Sequence, residues 1–370
     1  KALGIKMGEP YFKVKKIVKE NDVKIFSTNF ALYGDISRRV MKTLRQFSPQ
    51  MEIYSIDEAF LDINFDDYNL ICEDIVKRVK DTVGIPVSIG VGLTKTLSKI
   101  AGSIAKKLQR GYFVLDNDLI TQNILSDMPV ENIWGLGRRY SNFMINNGIK
   151  TADNLIKTNK NWILSKLNVN VLRTREELRG ISCYPVSTVS PSKKSIRVSR
   201  SFKKDIEKYE NLEKHVSDFA FLASKKLRNE NKRAKELGVF ITTNRFNNQK
   251  GSYYMGFKKY YFIVPTNSYI ELVRYSILML NKIFKKGLNY KKAGVILGGL
   301  CLENEYQASY LNQSHNTNNL MLKIDYLNDR FGTNKVLLSS QNLNNRLRKG
   351  KKKLSPSYMN SWNNIPNIKI

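Results

Sequence analysis

The chain has 370 residues, 42% of them hydrophobic, which is enough for several small domains with real cores. Its 62 Lys and Arg residues outnumber its 32 Asp and Glu residues, which leaves a net charge of +30. Such a charge points to a polyanion, with nucleic acid as the leading partner and an anionic membrane as the alternative. The sequence has no stretch long and apolar enough for a membrane span, which argues against a membrane-spanning protein.

The cysteines and the first residues of the chain indicate where in the cell the protein works. Cys72, Cys183 and Cys301 lie far apart and form neither a disulfide framework nor a zinc signature, which is typical of a reducing cytosol. No signal peptide is visible, so we predict a cytoplasmic protein. The opening, "KALGIKMGEP", reads like the middle of a domain, and we expect a piece of a longer protein.

The first region is predicted to be an α+β domain. Apolar residues at helical spacing predict a helix in "GDISRRVMKTLRQF", and "MEIYSIDEAFLDIN" reads as two short strands with a break between them. A second helix, a buried strand in "IPVSIGVGL", a helix that begins at the N-cap Thr94 and a strand in "GYFVL" follow. This order predicts one layer of sheet covered by helices.

Two adjacent acids, Asp57 and Glu58, lie at the break between the two short strands. On a regular strand they would point to opposite faces, but at a break both can converge on one point. Two carboxylates repel each other unless a cation neutralises them, and Mg²⁺ is the natural cation because it takes oxygen ligands. Paired Mg²⁺ ions would serve phosphoryl transfer. On spacing alone, a pair of ordinary solvated turn residues is the more common explanation.

Residues 115 to about 188 carry helical patterns and a candidate phosphate site. Gly135 and Gly137 bracket a tight turn into a helix, and Arg138 and Arg139 follow at once. Glycines let the backbone approach a phosphate, and a helix N-terminus offers free N–H groups to it. A turn between packed helices is the alternative, but the two arginines favour sequence-independent phosphate binding.

Beyond a Ser-, Pro- and Lys-containing linker near residue 190, the strand and helix order predicts a split βαβ, ferredoxin-like unit. Its first strand, in "KKSIRVSRSFKK", interleaves apolar residues with the basic residues Lys193, Lys194, Arg197 and Arg200. Such a strand suits the edge of a sheet that lies along a DNA backbone. Charges that protect an edge strand from aggregation are the competing explanation.

The C-terminal region turns polar and rich in Asn after Leu300. One convincing helix is predicted near "NNLMLKIDYLNDRFG". The basic end, "RLRKGKKKLSPSYMNSW", is expected to be solvated and mobile.

Several of these segments together resemble a known family. "MEIYSIDEAF", "GVGLTKTLSKIAGSIAKK", "WGLGRRYSNFMINNGIKTADNLI", "ELRGISCYPV" and "IRVSRSF" are similar to motifs of the Y family of translesion DNA polymerases, and within it of the UmuC-type enzymes. The resemblance runs from Lys1 to the "SPSYMNSW" end. It implies an α+β multidomain fold of the right-hand polymerase type, with a ferredoxin-like palm, a helical thumb and a split βαβ little finger.

The resemblance also implies domain boundaries. Residues 1–32 would be the end of the fingers, 33–115 the palm, and 116–188 the thumb with its helix-hairpin-helix. Residues 189–196 would be a linker, 197–300 the little finger, and 301–370 a UmuC-like C-terminal extension.

The implied activity is template-directed, error-prone DNA synthesis across damaged bases in the SOS response, by two-metal nucleotidyl transfer. Asp57 and Glu58 match the paired catalytic carboxylates of the family, which bind two Mg²⁺ ions. Lys106 matches a lysine near the incoming deoxynucleoside triphosphate, and Lys1 falls where relatives carry a basic residue for the same triphosphate. Primer-template DNA would be the substrate.

A third metal-binding Asp and an aromatic gate against ribonucleotides belong to a first palm strand in the family, and nothing upstream of Lys1 is present. We therefore expect these 370 residues alone to be inactive. A non-catalytic DNA- and clamp-binding remnant of such a polymerase is the alternative. A palm-fold nucleotide cyclase would share the acids and sheet, but it needs neither the glycine hairpin nor the little finger.

The resemblance extends to protein partners. "QASYL" resembles the pentapeptide with which such polymerases dock on the sliding clamp. Gln307 would hydrogen-bond in one pocket, and Tyr310 and Leu311 would fill an apolar one, although an ordinary loop is equally compatible with so short a motif. UmuD′-like and RecA-like proteins are further expected partners.

Overall fold

The computed structural model describes residues 3–189, 191–246, 253–305, 318–332, 335–337, 339–341, 353–356 and 362. The chain divides into two compact units, one of residues 1–190 with 353–370 and one of residues 191–352. The division falls inside the predicted linker, 189–196. The finer boundaries between fingers, palm and thumb stay predictions.

The first unit begins with an α+β part. Its elements are α1 (Tyr11–Glu20), α2 (Phe30–Leu44), β1 (Met51–Ile53), β2 (Ala59–Leu61), α3 (Tyr68–Val83), β3 (Ile89–Val91), α4 (Lys95–Lys107) and β4 (Tyr112–Val114). The predicted order of helix, hairpin, helix, strand, helix and strand is confirmed. Thr94 is the N-cap of α4, since its hydroxyl accepts a hydrogen bond from Leu97 N, as predicted.

The strands of this part are hydrogen-bonded in pairs. β1 and β2 are antiparallel, and β3 and β4 are parallel. Among the described residues, the single sheet layer expected from the sequence is therefore two separate two-stranded sheets. β3 lies so close to α4 that a Cβ on Gly90 would be 2.1 Å from Gly102 N, so that position requires glycine.

Helices complete the first unit, as the sequence predicted for residues 115 to 188. They are α5 (Asp118–Asp127), α6 (Arg138–Asn146), α7 (Ala152–Lys157), α8 (Lys160–Lys166) and α9 (Val169–Leu178), with a short 3-10 helix at Val130–Asn132. Apolar residues of α4, including Leu97 and Ile100, share one core with these helices. A second core joins α2 and α3 through Val40, Ile75 and Val79.

The second unit is a four-stranded antiparallel sheet with helices. Its elements are β5 (Ile196–Ile206), α10 (Tyr209–Asn229), β6 (Lys232–Thr243), β7 (Met255–Thr266), α11 (Tyr269–Ile283) and β8 (Tyr290–Leu302), with α12 (Asn318–Arg330) after them. The strand order is β5-β8-β6-β7. Each strand–helix–strand crossover therefore spans a strand of the other crossover, which is the predicted split βαβ arrangement, and β5 is the predicted edge strand. The core includes Phe219, Leu237, Ile241, Leu272 and Leu297.

The C-terminal residues contribute to both units. Met321 and Ile324 of α12 join the core of the second unit. The Arg228 side chain, 2% exposed, binds both carboxylate oxygens of Asp325 at 2.6 and 2.9 Å and donates to Asn267 O at 2.7 Å.

In the first unit, the backbone at residues 353–355 lies against the segment before α2, where Ser27 N donates to Lys353 O at 2.6 Å. Asn29 Nδ2 donates to Ser355 Oγ at 3.2 Å. The expectation of a wholly solvated basic end is therefore wrong for residues 353–355, because backbone and side-chain hydrogen bonds hold them against the first unit. No helix in the described part of the chain is long and apolar enough to cross a membrane.

Candidate active site

Asp57 and Glu58 lie in the turn between β1 and β2. Tyr54 N and Ser55 N both donate to the backbone oxygen of Glu58, at 3.0 and 3.1 Å, and so close the turn. The Ser55 hydroxyl donates to Asp57 Oδ1 at 2.6 Å. Neither acid belongs to a regular strand, so the alternation of strand side chains does not separate them, as the sequence predicted.

Helix α4 presents two lysines to this hairpin. Lys99 Nζ lies 2.6 Å from Glu58 Oε1, and Lys95 Nζ lies 2.5 Å from Glu52 Oε2. Lys95 also donates to Pro185 O at 3.0 Å, and its Nζ is 5.0 Å from the centre of the Phe60 ring. Sequence reasoning missed both lysines. Their spacing of four residues on one helical face was the available signal.

The buried Glu177 of α9 fixes the start of α4. Its carboxylate accepts from Thr96 N at 3.0 Å, from Cys183 N at 2.6 Å and from Tyr184 N at 3.1 Å. The Thr94 hydroxyl donates to the Glu177 backbone oxygen at 2.8 Å. A carboxylate at a helix N-terminus is favoured by the free N–H groups there. Glu177 therefore holds α4, and with it both lysines, against the helical part of the unit.

The pKa of the Glu52 carboxyl is lowered from its ordinary value. Burial alone would raise the pKa of its carboxyl, but hydrogen bonds from Lys95 and from Ser187 N, together with the Lys95 charge, lower that pKa overall. Glu52 is therefore a structural anion that anchors Lys95.

An aromatic cluster joins the hairpin to the turn before α6. The Trp134 ring lies 5.6 Å from that of Tyr54 and 6.0 Å from that of Tyr184, and the Trp134 indole donates to the Tyr54 hydroxyl at 3.3 Å. Trp134 directly precedes Gly135, whose φ of +86° suits glycine. The glycine turn is thus attached to the hairpin that carries the two acids.

The predicted phosphate site begins α6. Gly137 is its N-cap and supplies no side-chain acceptor, which leaves the first N–H groups of the helix available. Arg138 and Arg139 are exposed in the first turn. A Cβ at Gly137 would meet nothing within 4 Å and its φ is −79°, so its backbone conformation does not demand glycine.

A cavity of about 2260 Å³ in the first unit collects several of these residues. Its lining includes Asp57, Glu58, Lys99 and Lys106. Lys106 lies in the last turn of α4 and is exposed. The structure therefore brings the predicted catalytic pair and the predicted nucleotide-binding lysine to one cavity, whereas Lys1 lies outside the described residues.

Asp57 and Glu58 offer oxygen donors of the kind that Mg²⁺ prefers. Among the described residues, no cluster of three or more His, Cys, Asp or Glu could hold a metal ion. Mg²⁺, however, is commonly bound by one or two carboxylates together with substrate phosphates and water. Asp57 and Glu58 fit an ion of that kind, one that a nucleotide helps to hold.

The predicted DNA-binding residues of the second unit lie on and before the edge strand β5. Lys193 and Lys194 are exposed, and Lys193 Nζ is 2.5 Å from Glu230 Oε1. The Arg197 guanidinium lies 4.4 Å from the centre of the Phe240 ring, and Arg200 is exposed. The predicted clamp-binding residues Gln307, Tyr310 and Leu311 lie outside the described residues.

Comparisons with known proteins match most of the chain. Residues 1–103 match the impB/mucB/samB family, residues 193–310 match the C-terminal domain of that family, and residues 318–368 match a domain of unknown function. Protein UmuC of Salmonella typhimurium is 38% identical over 306 residues, which cover 80% of this chain and 72% of UmuC. DNA polymerase IV of Clostridium acetobutylicum is 26% identical over 332 residues, which cover 87% of this chain and 79% of that protein.

The fold has solved counterparts. A Y-family DNA polymerase chimera superposes with a TM-score of 0.65 at 20% identity, over 81% of this chain and 85% of the chimera. At that identity the likeness concerns the fold, and it confirms the expected α+β polymerase architecture.

Proposed function

This chain is a UmuC-like member of the impB/mucB/samB family, and from that membership we propose that it is a DNA-directed DNA polymerase that copies damaged templates. The observation that carries the proposal is the hairpin turn with Asp57 and Glu58, which opens into one cavity with Lys106. Error-prone synthesis in the SOS response is the finer form of the proposal.

The proposed chemistry is nucleotidyl transfer from a deoxynucleoside triphosphate to a primer end. Asp57 and Glu58 would hold Mg²⁺, two ions in the complete site, and the metal would neutralise charge that develops on the transferring phosphate. The chain itself orients these carboxylates through the turn hydrogen bonds at Tyr54, Ser55 and Glu58. Lys106 would bind the triphosphate as a point charge.

DNA binding would be sequence-independent. Arg138, Arg139 and the free N–H groups of α6 are proposed to bind backbone phosphates in the first unit. Lys193, Lys194, Arg197 and Arg200 would do so in the second, although Lys193 and Arg197 already contact Glu230 and Phe240, respectively. The net charge of +30 supports the same substrate.

The proposed partners follow the family. Gln307, Tyr310 and Leu311 would dock on the sliding clamp, and UmuD′-like and RecA-like proteins would assist on damaged DNA. A cytoplasmic location agrees with work on DNA and with the three free cysteines, Cys72, Cys183 and Cys301.

The test is primer extension by the full natural protein with Asp57→Asn, Glu58→Gln or both. We expect each change to slow extension at least about a hundredfold, because the carboxylates hold the metal that stabilises the transition state. DNA affinity should stay nearly unchanged, since the pair touches DNA little.

Asp62→Asn is the matched control, because Asp62 follows β2 in the same hairpin and is exposed. It should extend primers like the parent protein. A doubly substituted protein that still extends primers with Mg²⁺ would show that Asp57 and Glu58 are turn residues and no more. DNA binding without extension by the parent protein would favour the non-catalytic alternative.

A further inference from the structure

Lys99 contacts one of the two acids of the active-site turn. Its Nζ is 2.6 Å from Glu58 Oε1, and the two side chains are 23% and 36% exposed. The same ammonium lies 5.4 Å from the centre of the Tyr54 ring and 6.0 Å from that of Phe60, where ring faces attract cations. One hairpin therefore surrounds this ammonium with an anion and two rings.

The neighbouring acid differs. Asp57 accepts a hydrogen bond from the Ser55 hydroxyl, and among the described residues no Lys or Arg pairs with it. The positive charge of Lys99 thus lies beside Glu58, at one of the two oxygens that this carboxylate could offer to a divalent cation. An ammonium this close to the carboxylate repels a divalent cation at either oxygen.

Lys95, one turn earlier on α4, is held more firmly than Lys99. Its side chain is 8% exposed, and it binds Pro185 O as well as Glu52. Lys99 has no such backbone acceptor among the described residues and is more exposed. The two lysines make similar ion pairs to one hairpin, but Lys99 is the one that can be displaced.

If a metal ion displaced Lys99 from Glu58, the Lys99 ammonium would lie close to the phosphates of a bound nucleotide. Lys99 and Lys106 are seven residues apart on α4, which places them on one face of the helix, and both line the cavity with the two acids. A nucleotide's phosphates brought to Lys106 would therefore offer the Lys99 ammonium a new partner when a metal ion takes Glu58.

We propose that Lys99 is a positioning residue that occupies Glu58 in the absence of nucleotide and competes there with the divalent cation. This rests on the proposed function, in which Glu58 binds metal. The consequence is that the acids bind metal weakly until a metal–nucleotide complex arrives, so that metal and nucleotide enter together.

The test measures Mn²⁺ binding by electron paramagnetic resonance, without DNA or nucleotide. Lys99→Met keeps an apolar stem against Tyr54 and Phe60 but removes the charge. We expect it to bind Mn²⁺ about three- to tenfold more tightly, as the loss of one nearby positive charge predicts. Lys99→Arg should bind like the parent protein, because the charge is kept.

Lys107→Met is the matched control, because it removes the same charge from an exposed position in the last turn of α4. It should change Mn²⁺ affinity less than about twofold, since a distant exposed charge is screened. In a Glu58→Gln background, Lys99→Met should no longer increase the Mn²⁺ affinity.

Unchanged or weaker Mn²⁺ binding by Lys99→Met, with the fold intact by circular dichroism, would overturn the proposal. So would a gain that persists in the Glu58→Gln background. These outcomes are independent of the test of polymerase activity. An inactive protein can still bind Mn²⁺ more tightly when Lys99 is changed to Met, and an active protein can fail to do so.

Discussion

Removal of Asp325 should strongly destabilise the second unit. Asp325 of α12 supplies both carboxylate oxygens to Arg228, whose side chain is 2% exposed. In Asp325→Ala the guanidinium would stay buried with Asn267 O as its remaining described acceptor. Loss of one partner of a buried ion pair typically costs about 3–5 kcal/mol, because the other charge is left uncompensated.

Amide hydrogen exchange of β6 and β8 measures this cost, because core strands exchange through opening of the whole unit. A loss of about 3–5 kcal/mol should accelerate exchange there by a factor between about a hundred and a few thousand. The strands of the first unit, β1 to β4, should keep their protection, since they belong to a different compact unit.

Asp329→Ala is the control on the same helix. Asp329 pairs with Lys225, but its side chain is 63% exposed. Exposed ion pairs contribute at most about 1 kcal/mol, so exchange should change less than about fivefold. If Asp325→Ala behaved like Asp329→Ala, the buried pair would not hold α12 on the unit and the reasoning would be wrong.

Two further predictions concern the first unit. Arg138→Ala with Arg139→Ala should weaken primer-template binding about equally for unrelated sequences, as measured by fluorescence anisotropy. The slope of log affinity against log salt concentration should fall by about one to two, because about one to two fewer ions are released on binding. A marked change in sequence preference would contradict a phosphate role. Glu52→Gln should lower stability at neutral pH. Because the folded pKa of Glu52 is lowered, its contribution is present above the ordinary glutamate pKa and is lost as pH falls through the folded value. Thermal unfolding followed by tryptophan fluorescence should therefore show that the difference in melting temperature from the parent protein closes in acid, and a difference that stays constant would refute the assignment.

Local patterns accounted for most of the secondary structure and for the position of the acids. Helical spacing, the Thr94 cap and the break at Asp57 and Glu58 are properties of short segments, and the structure has all three. The split βαβ unit was also predictable, because its strands and helices alternate in an order with few compact solutions.

Long-range pairings were not predictable from one sequence. Lys99 and Glu58 are separated by 41 residues, and Arg228 and Asp325 by 97, so no periodic pattern links them. The strands of the first unit form two separate two-stranded sheets, β1 with β2 and β3 with β4. Which strands pair depends on backbone hydrogen bonds, which side-chain patterns do not encode. The docking of residues 353–355 beside Ser27 and Asn29 was hidden for the same reason, because a basic run resembles a solvated tail.

The Arg228–Asp325 pair also joins two stretches of this chain that match different domain families. Arg228 belongs to the stretch that matches the C-terminal family domain, and Asp325 to the stretch that matches the domain of unknown function. A lineage that lost the latter stretch by deletion would leave a buried guanidinium behind, unless an apolar residue had already replaced Arg228. We therefore expect the two stretches to be inherited together, and relatives without α12 to carry an uncharged residue at the position of Arg228.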